Sequence, residues 1–354
     1  MASDTSVNQG VGAVRTALDA IALERWLSAN VAGFAGPLAV GQFNGGQSNP
    51  TYRLTTPTAT YVLRRKPSGD ILKGAHDVLR EARVLSALAA TDVPVPRIFA
   101  TCNDSAVLGS DFVVMEMIEG RIFWDAGFQD VPKGERAAYF DAMNGAIAAL
   151  HALEPANIGL ADYGKAGNYF DRQIGRWSQQ YLADDLAGRD ANMDAVVAWL
   201  PTAIPDSDDT RLVHGDFRCD NMIFHPAEPR IVAVLDWELS TLGHPLADFA
   251  YHAMMYHMPP DIVAGLGGAD PVAFGLPIEA EYIAAYCRRT GRAGIADWNF
   301  YVAFSFFRLA AIFHGIKGRV LRGNASSTTA RERAEAFPRL ARLAREAMVR
   351  CETR

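Results

Sequence analysis

Two short runs carry residue types that could do chemistry together. Leu212 to Phe224 reads Leu-Val-His-Gly-Asp-Phe-Arg-Cys-Asp-Asn-Met-Ile-Phe, and Ile231 to Glu238 reads Ile-Val-Ala-Val-Leu-Asp-Trp-Glu. Asp216 and Asn221 stand five apart between apolar, strand-like residues, so one short loop can aim both at a common point. Asp236 ends a second apolar run that Glu228-Pro229 connects back by a hairpin, and strands side by side in that way bring Asn221 close to Asp236. A carboxylate able to accept a hydroxyl proton, with hard oxygen ligands suited to Mg2+, is the set that phosphoryl transfer needs, because that reaction is limited by charge placement more than by bond making. In that chemistry Asp216 is the base, and Asn221 and Asp236 hold the metal. At average residue usage, His-Gly-Asp-x4-Asn alone arises in roughly one chain in a thousand of this length.

The elements that must position these groups are legible as periodicity. Mixed three- and four-residue apolar spacing predicts helices over 14–31, 76–90, 137–153, 170–186, 193–200, 279–289 and 298–316. Short β-rich runs fall at 51–54, 61–64 and 112–117, and a Gly-Gly turn at Gly45-Gly46 suits a hairpin. Gly318 to Thr329 reads as an exposed loop. The pattern turns mainly helical near Gly120. The expectation is an α+β chain with a small antiparallel-sheet lobe over 1–118 and a mostly helical lobe over 119–354.

Composition narrows the partners. The 354 residues carry a formal charge of −6, a pI near 5.8 and 49% apolar residues, which argues against the broad basic surface that nucleic acid or an anionic membrane requires. A small molecule or another protein is the expected partner. Cys102, Cys219, Cys287 and Cys351 are scattered without zinc-site spacing, as in a chain kept reduced. The polar first ten residues lack a signal-peptide pattern and no apolar run approaches a membrane span, so a soluble, cytoplasmic protein with no membrane partner is expected.

On these motifs the sequence resembles the aminoglycoside phosphotransferase and choline kinase branch of the protein-kinase-like fold. His214-Gly215-Asp216 with Asn221 stands where protein kinases carry their catalytic loop, and Leu235-Asp236-Trp237-Glu238 where they carry a metal-binding Asp-Phe-Gly. The resemblance implies a bilobal enzyme using ATP and Mg2+. It makes Gly45, Gly46, Gln47, Ser48 and Asn49 the phosphate-covering hairpin, whose glycines let backbone amides approach phosphate. Arg64 sits where the family has a nucleotide-contacting lysine, with Arg65 and Lys66 as rivals, and Glu81 pairs with that cation. Met115 lies behind the adenine, the carbonyl of Glu116 and the amide of Ile118 bond its edge, and Arg218 neutralises the transferring phosphoryl group. Asp248 reads as a helix N-cap that braces the catalytic loop, His244 and His214 as structural, and His151 as a core histidine. His252 and His257 are wrongly spaced for a metal pair on one helix face.

Tyr61 to Pro67 and Phe307 to Gly315 look like the kinase-like domain that some proteins carry fused ahead of an acyl-CoA dehydrogenase. That likeness implies a small hydroxylated acceptor of hydroxyacyl type, free or as its CoA thioester, met by the basic residues Arg308, Lys317, Arg319 and Arg322. Aminoglycoside, choline-like or sugar acceptors are the alternatives within the class. A catalytically silent nucleotide-binding or scaffold protein is the alternative outside it, although such proteins usually lose Asp216, Asn221 or Asp236.

Overall fold

Asp19 ends an irregular segment by accepting the Ile21 and Ala22 amides, and the first helix starts immediately after it. The computed structural model describes residues 10–15, 18–43, 49–67, 77–207, 209–325 and 329–353. In chain order the elements are β1 (Val11–Gly12), α1 (Ala20–Asn30), β2 (Ala39–Phe43), β3 (Thr51–Thr55), β4 (Thr60–Arg65), α2 (Val78–Leu88), β5 (Ile98–Cys102), α3 (Ser105–Leu108) and β6 (Phe112–Glu116). There follow α4 (Arg136–Ala152), α5 (Tyr169–Leu182), α6 (Ala191–Trp199), β7 (Arg211–Val213), β8 (Met222–Phe224), β9 (Ile231–Val234), β10 (Thr241–Gly243), α7 (Pro245–Ala253), α8 (Pro260–Val263), α9 (Pro271–Phe274), α10 (Glu279–Thr290), α11 (Trp298–Leu321) and α12 (Ala330–Glu352). They form two compact units. The first comprises Met1–Phe123, Ile158–Leu160 and Asp220–Ser240, the second Trp124–Asn157, Ala161–Cys219 and Thr241–Arg354.

The first unit is built on a six-stranded antiparallel sheet in the order β1-β2-β3-β4-β6-β5. Alternation along β4 sends Tyr61, Leu63 and Arg65 to one face and Arg64 to the other. Leu23, Leu27 and Val31 of α1 pack with Tyr52, Leu54, Tyr61, Leu63 and Phe112 in one apolar cluster, with Trp26 edge-on to Phe112. Asp77 caps α2 through the Arg80 amide, and Val84, Leu85 and Leu88 are buried. The β8–β9 hairpin belongs to this unit too, pairing Met222 with Val234.

The second unit is helical around the short β7–β10 ladder. Its central element is α11, buried along most of its length and packed on α12, α7 and α5.

Several expectations change here. The helix expected from 14 begins at Ala20, because the Asp19 carboxylate takes the first orphan amides and sets the start. Gly318 lies inside α11, with Leu321 its last residue. A Cβ there would meet the Asp184 carboxylate and the Arg322 guanidinium, so a larger residue would have to displace that ion pair. α11 also meets the length and composition of a membrane span, which no run was expected to approach, but 83% of that window is buried inside the unit. It is a core helix.

Candidate functional site

In the first unit the strand-end carboxylate lies where the hairpin reading put it. The Leu235 amide donates to the Asn221 carbonyl at 2.8 Å, extending the β8–β9 ladder by one rung, so Asn221 sits beside the residue preceding Asp236. Asp236 itself turns the chain with φ 65° and ψ 57°, a left-handed conformation that aspartate tolerates better than most residues. Its Oδ1 accepts from Arg64 Nη2 at 2.8 Å, while Arg64 Nη1 donates to Glu81 Oε1 at 2.7 Å and Glu238 Oε2 lies 3.9 Å from Nη2. One planar guanidinium thus bridges the α2 carboxylate and the strand-end carboxylate, a two-ended contact that a lysine ammonium makes less well. Burial works against the Arg64 charge, but Glu81 and then Asp236 more than offset it and raise its pKa. Burial also pushes the Glu81 carboxyl up to about 7 against the pull of Arg64.

Strand alternation separates the three candidate cations. Arg65 lies on the opposite face of β4, where Nε donates to Ser110 Oγ at 2.9 Å, and Lys66 bonds through its backbone to Asp111. Of the three, Arg64 is the one that pairs with Glu81 and Asp236. Gly45, Gly46, Gln47 and Ser48 lie outside the described residues. Asn49 is 1% exposed, and neither polar atom of its side chain has a hydrogen-bond partner among the described residues. Met115 is buried in β6; the Glu116 amide donates to the Arg97 carbonyl at 2.8 Å and its carboxylate accepts the Arg97 amide at 3.2 Å. Ile118 follows in the half-buried segment after the strand.

In the second unit the catalytic-loop candidates are held by the backbone. Asp248 Oδ2 accepts the His214 amide at 2.7 Å and Oδ1 the Gly215 amide at 2.8 Å. Gly215 has φ +86°, which favours glycine. Its carbonyl accepts from Arg308 Nη2 at 2.8 Å, so buried charged groups hold both polar atoms of that peptide residue. His214 Nδ1 accepts the Asp216 amide at 3.2 Å. Asp216 Oδ1 accepts the Tyr251 hydroxyl at 2.8 Å, and Arg218, two residues on, acts on that phenol as a positive charge. Burial would raise the Asp248 carboxyl, but the hydrogen bond from His151, the electrostatic pull of His151 and His214 and the His214 amide hold it below its ordinary value.

Asp248 is not an N-cap. Pro245 at the first position starts α7 at His244, whose Nδ1 takes the Leu246 amide at 3.2 Å, and Asp248 therefore falls a full turn inside the helix, free to turn its carboxylate to the loop. His151 is buried between Tyr286 (2.8 Å) and Asp248 (3.3 Å). His252 bonds the Phe217 carbonyl and the Tyr282 hydroxyl, and burial lowers its pKa to about 4. His257 instead pairs with Glu279 at 2.8 Å.

The basic residues of α11 do not converge. Arg308 is at the Gly215 carbonyl, but Arg319 and Arg322 lie about 16 and 21 Å further along the helix axis. Arg322 pairs with Asp184, and the Lys317 ammonium lies over the Phe337 ring. The sequence singled out Arg308 only as one of four cations and passed over Tyr251; the signal available was its place three residues after Asp248, on the same helix face.

This architecture is that of the protein-kinase-like fold. Residues 39–304 match the phosphotransferase enzyme family, and the chain belongs to it, as a small-molecule kinase by class. It is 42% identical over 326 residues to acyl-CoA dehydrogenase family member 10 of Mus musculus, covering 91% of this chain and 30% of that protein. Against acyl-CoA dehydrogenase family member 11 of Gallus gallus it is 42% identical over 349 residues, covering 95% of this chain and 44% of that protein. The chain therefore spans less than half the length of these relatives. A crystal structure from Ralstonia eutropha, provisionally assigned as an aminoglycoside phosphotransferase, is 49% identical with a TM-score of 0.87, covering 94% of this chain and 98% of that one. A microcompartment-associated aminopropanol kinase shares the fold at 17% identity, with a TM-score of 0.57 over 92% of this chain and 95% of that one.

Proposed function

We propose that the chain transfers the γ-phosphoryl group of ATP to a hydroxyl of a small molecule. Asp216 accepts the hydroxyl proton as the acceptor oxygen bonds to phosphorus and the bond to ADP breaks, and Arg218 offsets charge on the moving group. Asn221 and Asp236 are the residues that would hold Mg2+, which takes one or two protein oxygens and otherwise binds phosphate and water, and which supplies charge neutralisation. The observation that carries this reading is the strand-end Asp236, next in the chain to the Leu235 that bonds Asn221 and ion-paired to Arg64, which is itself fixed by Glu81. Hard oxygen donors and a fixed cation within one unit suit a metal bound to phosphate.

The acceptor we favour is a hydroxyacyl compound or its CoA thioester. Similarity to proteins named as acyl-CoA dehydrogenases supports it, and of the four basic residues Arg308 remains the one bonded to the loop that carries Asp216. Titration calorimetry with ATP, with and without Mg2+, tests the nucleotide; steady-state transfer to hydroxyacyl-CoAs, choline, sugars and kanamycin tests the acceptor. Metal-dependent ATP binding with turnover of hydroxyacyl compounds is expected. Turnover of kanamycin or choline alone would overturn the acceptor and leave the kinase reading standing, whereas ATP binding with no transfer to any hydroxyl would favour a silent nucleotide-binding protein.

A further inference from the structure

Tyr251 leaves α7 three residues after Asp248, so the two side chains share a face one turn apart. Asp248 takes the amides of the loop while the Tyr251 hydroxyl takes the loop's carboxylate, donating to Asp216 Oδ1 at 2.8 Å. The tyrosine is 5% exposed. The Arg308 guanidinium carbon lies 5.1 Å from the centre of its ring while Nη2 of the same arginine bonds the Gly215 carbonyl. Burial, then the negative charge of Asp216, pushes the phenol far above its ordinary pKa, so it remains a protonated donor at neutral pH. A residue needed only for packing here could be phenylalanine, and a buried hydroxyl is costly unless it has a partner. This one has the carboxylate proposed above as the base.

We propose that Tyr251 is a positioning residue for transfer: its hydroxyl fixes the rotation of the Asp216 carboxylate, and Arg308 fixes Tyr251 through its ring while tying it to the Gly215 peptide. The inference rests on the reading of Asp216 as base. General-base transfer requires the accepting oxygen within hydrogen-bond reach of the proton it takes, and a carboxylate that swings loses that alignment.

The carboxylate can be read without an acceptor, by carbon NMR of protein labelled at aspartate Cγ, with the Asp216 signal assigned by its loss in Asp216→Asn. In Tyr251→Phe that signal should shift, because the carboxylate has lost the donor on Oδ1. Turnover with the best acceptor from the screen should fall about tenfold, the cost of one hydrogen bond to a charged group, with the Mg·ATP dissociation constant unchanged. Tyr256→Phe, which removes a phenol bonded to the Pro277 carbonyl instead, should change neither. An unmoved Asp216 signal in Tyr251→Phe overturns the inference, as does full turnover in Tyr251→Phe where Asp216→Asn is dead. Undiminished turnover in Asp216→Asn overturns the base assignment itself.

Discussion

The first unit holds Arg64 and Asp236 with other charged side chains, and the second holds the Asp216 loop through the peptide backbone. Around Arg64 the contacts are ion pairs among long side chains, and the Asp236 carboxylate keeps 35% of its exposure. Around Asp216 a buried aspartate grips two successive amides, and a buried arginine grips the carbonyl that follows them. Ion pairs can trade partners without moving the chain, so the Arg64 group is built to admit a new cation or anion. Backbone contacts cannot be traded without bending the chain, and the Asp216 loop is built to stay as it is.

Substitutions can break or sharpen that contrast. The largest effect should come from Asp216→Asn, which keeps the shape of the loop but removes the base: turnover should drop roughly 10²- to 10⁴-fold while Mg·ATP affinity, followed by calorimetry, stays within a few-fold. Asp248→Ala attacks the backbone clamp and takes the partner from two buried amides and from Nε2 of His151, which should cost about 3 kcal/mol in denaturant unfolding. If it unfolds like the parent, the loop does not depend on its clamp. Asp236→Asn spares the left-handed backbone but halves the carboxylate. Magnesium-dependent nucleotide binding should weaken by at least the roughly 10- to 100-fold that loss of a supporting residue costs at metal sites, with little change in unfolding, since the Arg64 group tolerates exchange.

Two smaller effects separate the units further. Gly215→Ala must adopt the left-handed backbone with a Cβ, a strain of about 1–2 kcal/mol that should appear in the melting temperature. Glu81 bears on pH. Its carboxyl lies near 7 folded, above its ordinary 4.5, so the folded chain holds the proton more tightly. The stabilisation this gives is complete below about 4.5 and is lost as pH rises through about 7. Melting temperature should therefore decline between about pH 5 and 8 more steeply in the parent than in Glu81→Gln.

The elements that carry these groups were legible wherever one period dominated. The α2 and α10 stripes, the β8–β9 hairpin and the Asp216-Asn221-Asp236 spacing all follow from local pattern, because a hairpin with a short turn leaves its strand ends little choice of neighbour. What escaped was set by distant residues. β5 pairs with β6 through an irregular register between Ile98 and Ala100, and the prolines before it hide the strand. The choice of Arg64 over Arg65 needed the knowledge of which face of β4 meets α2. Gly318 looked like a helix end because the residue that fills its vacant Cβ space, Asp184, is remote in sequence. The Tyr251 contact was obscured for the same reason, since Asp216 is 35 residues away, and the hint to it was the place of Tyr251 one turn after Asp248.

The β8–β9 hairpin belongs to the first unit although residues 124–157 and 161–219, most of what separates it from the sheet, belong to the second. That has a consequence during synthesis. A ribosome finishes the last sheet strand at Glu116 and reaches Asp236 some 120 codons later, about 6 to 24 seconds at ordinary elongation rates. Through that interval Arg64 and Glu81 exist without Asp236, the second carboxylate on the guanidinium, and the nascent sheet lacks the hairpin that completes its unit. Release of arrested nascent chains should show the first unit gaining protease resistance only once the template extends past the codon for Ser240 by the length of the exit tunnel.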